Sequence, residues 1–220
     1  MKQKPSKIIS KITMATCGLL YSGMVMGANF DLSQPKVGSD GVLTIPSSAG
    51  SGIRLEDPAI SIVKDADAEN SSSLVFSGKQ AKPAMLNIPE PSTSVSAKMK
   101  IKPSAESAGD AAILFHPGNF ELRYSPGART VTFFVYYKDK TPPLSVVTSA
   151  LIPGKWSIVE IVVKGQDVKL VVDGAAVTGK LPEATTMAGV KSFFRIGMTG
   201  DGKRPFTGSL ADISISEPAE

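Results

Sequence analysis

From Leu74 onward the sequence is a succession of short apolar–polar alternations broken by glycine, and nowhere does it sustain a helical period beyond two turns. Successive side chains of a strand point to opposite faces, so a period of two marks a half-buried strand. In 95–102, Val95, Ala97, Met99 and Ile101 fall on one face, and Ser96, Lys98, Lys100 and Lys102 on the other. In 120–124, Phe120, Leu122 and Tyr124 oppose Glu121 and Arg123. In 131–138, Val131, Phe133, Val135 and Tyr137 oppose Thr132, Phe134, Tyr136 and Lys138. Segment 157–164 is largely apolar on both faces, the pattern expected of a strand covered on both sides. Segment 167–173 runs into Asp173-Gly174 and then Ala175-Ala176-Val177. An Asp-Gly loop between apolar runs is a strong hairpin signal, because both of its positions need positive φ. Strands at 192–197 and 209–215 close the series. Many strands without intervening helices mean an all-β antiparallel sandwich or barrel. The last strand, 209–215, is expected beside an early one at 73–77, because an open sheet edge is costly.

Charge is distributed unevenly over the 220 residues. Lys+Arg minus Asp+Glu is 24 − 20 = +4, but Lys2, Lys4, Lys7 and Lys11 lie in the first 28 residues, which hold no acid. The remainder has 20 basic and 20 acidic side chains, and a neutral body offers no broad field for phosphates, which excludes a nucleic-acid binder. The one cysteine, Cys17, lies in the same leader, so the rest of the chain has no disulfide, thiol nucleophile or cysteine metal site. The one histidine, His116, excludes any centre that needs a histidine pair. The basic start, the uncharged run 12–26 and the small Gly27-Ala28 follow the order of a secretory signal peptide. That run is too short to span a membrane. The expectation is an exported protein, in the periplasm, the medium or at the cell surface, and not an integral membrane protein. Its mature chain starts at Ala28 or Asn29. Residues 29–72 read as a loop-rich segment packed on the domain, 73–217 as the β-sandwich and 218–220 as a tail.

Several short words recur in a fixed order. They are Leu74-Val75-Phe76-Ser77-Gly78, Pro153-Gly154-Lys155-Trp156 before an apolar strand, and Val168–Gly174 as a hairpin. Arg195-Ile196-Gly197 and Phe206–Ile215 follow. Together they resemble the LamG and concanavalin A-like lectin/glucanase superfamily over roughly 73–217. The resemblance implies a jelly-roll sandwich of two curved sheets that binds glycans or proteins, or in some members cleaves polysaccharides. Lys100 stands where the family often has tryptophan, and Val95 where it often has phenylalanine.

The residues supply no catalytic pair. Retaining glucanases need two carboxylates about 5–5.5 Å apart, and the E-x-D-x-x-E and E-x-D-x-E words that carry them in the resembled enzymes are absent. Of the words of jelly-roll alginate lyases, Phe120-Glu121-Leu122-Arg123 echoes only part of one. His116, followed by Pro117-Gly118, reads as a turn residue. Asp65–Asn70 begins like a calcium loop, but Phe76 stands where its last ligand belongs. No cofactor is indicated; the resemblance leaves room for a rim calcium at Asp110 or Asp201. Two binding candidates remain. One is the outer face made by Glu121, Arg123, Phe134, Tyr136 and Lys138, whose aromatic rings and planar charged groups suit a sugar. The other is the stripe Lys98, Lys100, Lys102, suited to an acidic polysaccharide or simply to keeping an exposed strand from pairing. The reading is a non-catalytic module for a glycan or a surface protein. Its alternatives are a polysaccharide hydrolase or lyase on the same fold and a purely structural assembly domain.

Overall fold

The computed structural model describes residues 28–48, 52–68, 72–87, 94–137, 140–181 and 194–216. The first 27 residues, with the leader cleavage expected near their end, and Lys138 lie outside the described residues. The described elements are strands. In chain order they are β1 (Ala28–Asn29), β2 (Lys36–Val37), β3 (Leu43–Pro46), β4 (Gly52–Leu55), β5 (Ile60–Lys64) and β6 (Ser72–Ser77). Then come β7 (Ala84–Asn87), β8 (Ser94–Pro103), β9 (Ala111–His116), β10 (Phe120–Ser125), β11 (Thr130–Tyr137) and β12 (Lys140–Ala150). The chain continues through β13 (Ser157–Lys164), β14 (Asp167–Val172), β15 (Ala175–Lys180), β16 (Phe194–Ile196) and β17 (Thr207–Ser216).

These strands form two antiparallel sheets of a jelly-roll-like sandwich. One has nine strands in the order β12-β11-β10-β9-β16-β7-β4-β3-β2. The other runs β15-β14-β13-β8-β17-β6-β5, with β1 also pairing β17. The core lies between them. Val95, Ala97, Met99 and Ile101 of β8 and Val159, Ile161 and Val163 of β13 face Leu122, Val131, Phe133 and Val135 in one buried cluster. Burying each large side chain of this kind contributes about 1.5–3 kcal/mol. The terminal strand does close against an early one: Thr207–Leu210 pair with Leu74–Ser77.

The β14–β15 hairpin turns at Asp173 and Gly174, both with positive φ (49° and 85°). β13 departs from its expectation. Ser157, Val159, Ile161 and Val163 are buried, but Ile158 is 43% exposed, so only one face is covered. The sandwich has two layers, and an outward-facing isoleucine or valine of either sheet meets no third one. Residues 28–64 supply β1–β5: β2–β4 and β5 extend the two sheets at one edge each, and β1 pairs with β17 inside its sheet.

Candidate functional site

The nine-stranded sheet turns its second face outward. Along β10 the alternation that buries Phe120, Leu122 and Tyr124 sends Glu121 and Arg123 to that face. Along β11 it buries Val131, Phe133 and Val135 and leaves Thr132, Phe134 and Tyr136 half-buried on the outside. The register then builds a row across four strands. Glu121 is opposite Phe134 on β11 and Phe115 on β9, and Phe115 is opposite Arg195 on β16. At about 4.8 Å per strand the row from Phe134 to Arg195 spans about 14 Å.

Glu121 points outward and is nevertheless fully buried (0% exposed), because neighbouring side chains close over it. Arg123 donates from Nε to Oε1 and from Nη2 to Oε2, each at 2.9 Å, a bidentate pair. Arg204 Nη1 lies 3.3 Å from Oε1. The Tyr136 hydroxyl donates to Oε2 at 3.2 Å. A buried carboxylate is costly unless paired and hydrogen-bonded, and this arrangement supplies both conditions. The Arg123 guanidinium also stands 4.3 Å over the Phe134 ring. Its hydrogen bond to Glu121 holds its proton more tightly than usual, against the effect of burial. Burial, and then the Glu121 charge, push the Tyr136 phenol up, so it stays a donor at neutral pH.

Arg204 reaches this cluster through an irregularity. Leu122 pairs with Leu114 and Arg123 with Ala112, which leaves Ile113 as the extra residue of a β-bulge in β9. There the Ala112 N–H donates to the Arg204 carbonyl instead of a strand neighbour, at 3.0 Å. Arg204 itself sits at φ 53°.

Of the residues singled out in the sequence, Glu121, Arg123, Phe134 and Tyr136 are thus brought together. Lys98, Lys100 and Lys102 lie on β8, on the outer face of the opposite sheet, and do not join them. Lys98 is exposed there. Lys100 Nζ is 2.9 Å from Asp212 Oδ2, and Lys102 Nζ is 3.0 Å from Asp65 Oδ2 and 4.6 Å over the Trp156 ring. A shallow cleft of about 360 Å³ beside this stripe is lined by Asn29, Lys98, Lys100, Ile158 and Asp212.

His116 is not a turn residue. It ends β9 and is buried, its ring 4.9 Å from that of Phe194 and 5.7 Å from that of Phe120. Burial pushes its pKa down. The Asp201 carboxyl is held well below the usual range by hydrogen bonds from Thr199 and Lys203. Among the described residues no three His, Cys, Asp or Glu side chains gather in a way that could hold a metal ion. Phe115, Arg195 and Arg204 were missed at the sequence level. The alternation of Phe194 and Ile196 around Arg195 could have found that arginine. Nothing in the local pattern announces Arg204.

No curated protein sequence matches the chain. Solved structures do. Domain 4 of AbnA, a GH43 extracellular arabinanase from Geobacillus stearothermophilus in complex with arabinotriose, is similar with a TM-score of 0.57 at 18% identity. That match covers 73% of this chain and 76% of that one. Trypanosoma rangeli sialidase is similar with a TM-score of 0.58 at 13% identity, over 87% of this chain but only 30% of the sialidase. Botulinum neurotoxin type C is similar with a TM-score of 0.52 at 13% identity, over 78% of this chain and 44% of the toxin chain. At such identities these likenesses show the fold. The family model of the concanavalin A-like lectin/glucanases superfamily matches residues 77–219, from β6 to beyond β17, and the chain belongs to that superfamily.

Proposed function

We propose that the chain is an exported, non-catalytic module that binds a glycan on the outer face of the nine-stranded sheet. The observation that carries this reading is the cluster of Glu121, Arg123, Arg204 and Tyr136 set beside the half-buried ring of Phe134. Sugars offer hydroxyls to planar polar groups and C–H faces to aromatic rings, and this face presents both side by side. Glu121 anchors its neighbours rather than acting as an acid or base. Both its oxygens already accept charge-assisted bonds, and no second carboxylate is bonded into the cluster among the described residues. Glycoside hydrolysis of the usual kind needs a second carboxyl group across the scissile bond. A domain of similar fold is seen with a sugar bound: the arabinanase domain is in complex with arabinotriose. The leader read in residues 1–28 supports export.

A glycan array followed by calorimetric titration tests the proposal. The expected outcome is binding that weakens about tenfold in Tyr136→Ala with the fold retained, and no reducing ends released from any polysaccharide. Turnover that disappears in Glu121→Gln would replace the module with an enzyme. Tight binding to a protein ligand with no glycan bound would replace the ligand class.

A further inference from the structure

Arg195 differs from the other arginines of this face. Arg123 and Arg204 share the Glu121 carboxylate, and Arg54 on β4 lies 3.4 Å from Asp40 and 3.3 Å from Glu56. Among the described residues the Arg195 side chain has no hydrogen-bond or ion-pair partner; its guanidinium carbon stands 5.9 Å from the Phe115 ring, and its charge is felt by the buried His116. Yet it is held in place. It is half-buried, and its guanidinium lies against Gly200, where an added Cβ would collide with it. The loop under it is tied down: the buried Thr199 hydroxyl is 2.6 Å from both Asp201 Oδ1 and the Lys203 carbonyl, and the Phe206 N–H donates to the Gly197 carbonyl at 2.7 Å.

A guanidinium is a donor only, with five N–H groups in a fixed fork. The neighbouring acceptor on this face, Glu121, has its oxygens occupied by Arg123, Arg204 and Tyr136. Three guanidiniums, from β10, β16 and the loop between β16 and β17, therefore stand against that one carboxylate, with Asp110 the further acid whose charge Arg123 feels. A neutral sugar leaves most of Arg195's donors to water. A carboxylate or sulfate matches the fork with two parallel bonds. Phe115, directly opposite both Glu121 and Arg195, offers the ring on which the same sugar rests.

We infer that the glycan is acidic, a chain bearing carboxylate or sulfate groups, and that Arg195 binds its acid group while Phe115 supports the sugar ring. This rests on the glycan site proposed above. The test uses the full chain against an array of oligogalacturonates, their methyl esters, sulfated dextran oligosaccharides and neutral galacto-oligosaccharides, at 50 and 300 mM salt. The expected result is binding to a carboxylated or a sulfated member, weaker at high salt, with the uncharged counterparts at least about tenfold weaker. The two acidic arms tell carboxylate from sulfate. Arg195→Gln should lose about ten- to a hundredfold in affinity, the effect of one charge-assisted pair, and Arg195→Lys should recover part of it. Gly200→Ala, which displaces the guanidinium without removing it, should weaken binding in the same direction. Lys98→Gln, on the opposite sheet, should change nothing. Preference for neutral glycans, or acidic binding insensitive to Arg195→Gln and Gly200→Ala, overturns the inference and leaves the glycan site standing. Loss through Lys98 overturns it by moving the site to the other sheet. No binding to any member overturns both.

Discussion

Glu121 holds two guanidiniums and a phenol while fully buried, so its charge cannot be removed without leaving those groups facing one another. Breaking a buried pair from one side typically costs about 3–5 kcal/mol. Glu121→Ala is expected to lose stability on that scale in urea unfolding, and a loss under about 1 kcal/mol would show that water already solvates the cluster. His116 gives a pH signature. Its folded pKa lies below the ordinary value of 6.5 because burial disfavours the imidazolium. The unfolded chain therefore binds a proton more readily than the folded one, so this contribution to stability is complete above about pH 6.5 and lost as pH falls through the folded value. His116→Phe, which keeps a ring beside Phe120 and Phe194, should flatten the change in unfolding free energy between pH 7.5 and 5.5. An unchanged slope would assign it to carboxylates. At this scale alternation made Glu121, Arg123, Phe134 and Tyr136 legible as one outward face. It could not pair Lys100 with Asp212 or Lys102 with Asp65, because those partners come from distant parts of the chain.

Strands with clean alternation or strong turns were legible as elements: β8, β10, β11, β13 and the β14–β15 hairpin fall within a residue or two of expectation. β9 was not, because Ala111–Phe115 is apolar throughout and a bulge at Ile113 breaks its period. β12 was hidden by Pro142-Pro143, and its place at the end of the sheet is where missing N–H donors are tolerated. The short strands β1–β4 are held by their pairings, β1 on β17 and β4 on β7, with β3 and β2 following in turn. One side chain ties this early part together. The buried Asp57 carboxylate accepts the N–H groups of Ala59, Lys82 and Ala81, bridging the β4–β5 and β6–β7 connections. Burial pushes its pKa up, but those three hydrogen bonds outweigh it and hold the carboxyl below the usual range. Its stabilisation is thus present above about pH 4 and lost below. Asp57→Asn should lower stability at pH 7 by about 1–3 kcal/mol and shrink the gap from wild type below pH 3, followed by thermal melts across that range. A gap independent of pH would mean that the charge contributes nothing. In the hairpin, Gly174 at φ 85° makes Gly174→Val costly by about 1–2 kcal/mol in the same melts, while no change would show that the turn rearranges freely.

For the whole molecule, the two-sheet class was legible because one period recurs from Leu74 to the end without a helix, and closure of β17 on β6 follows from the cost of an open edge. The full candidate site was not legible, because it is assembled by register. Phe115, Glu121, Phe134 and Arg195 meet only when β9, β10, β11 and β16 lie side by side, and Arg204 joins them from a loop. The central claim is that this face holds a glycan without cleaving it. The most direct measurement is calorimetric titration of the glycan retained on the array against wild type and Phe134→Ala. Phe134 is half-buried on the outer face, so the substitution leaves the core side chains in place. The expected result is a stable heat of binding with no slow release of products, and an affinity about tenfold weaker in Phe134→Ala at an unchanged melting temperature. Equal affinity in the two proteins, or heat that continues as the sugar is consumed, would contradict it.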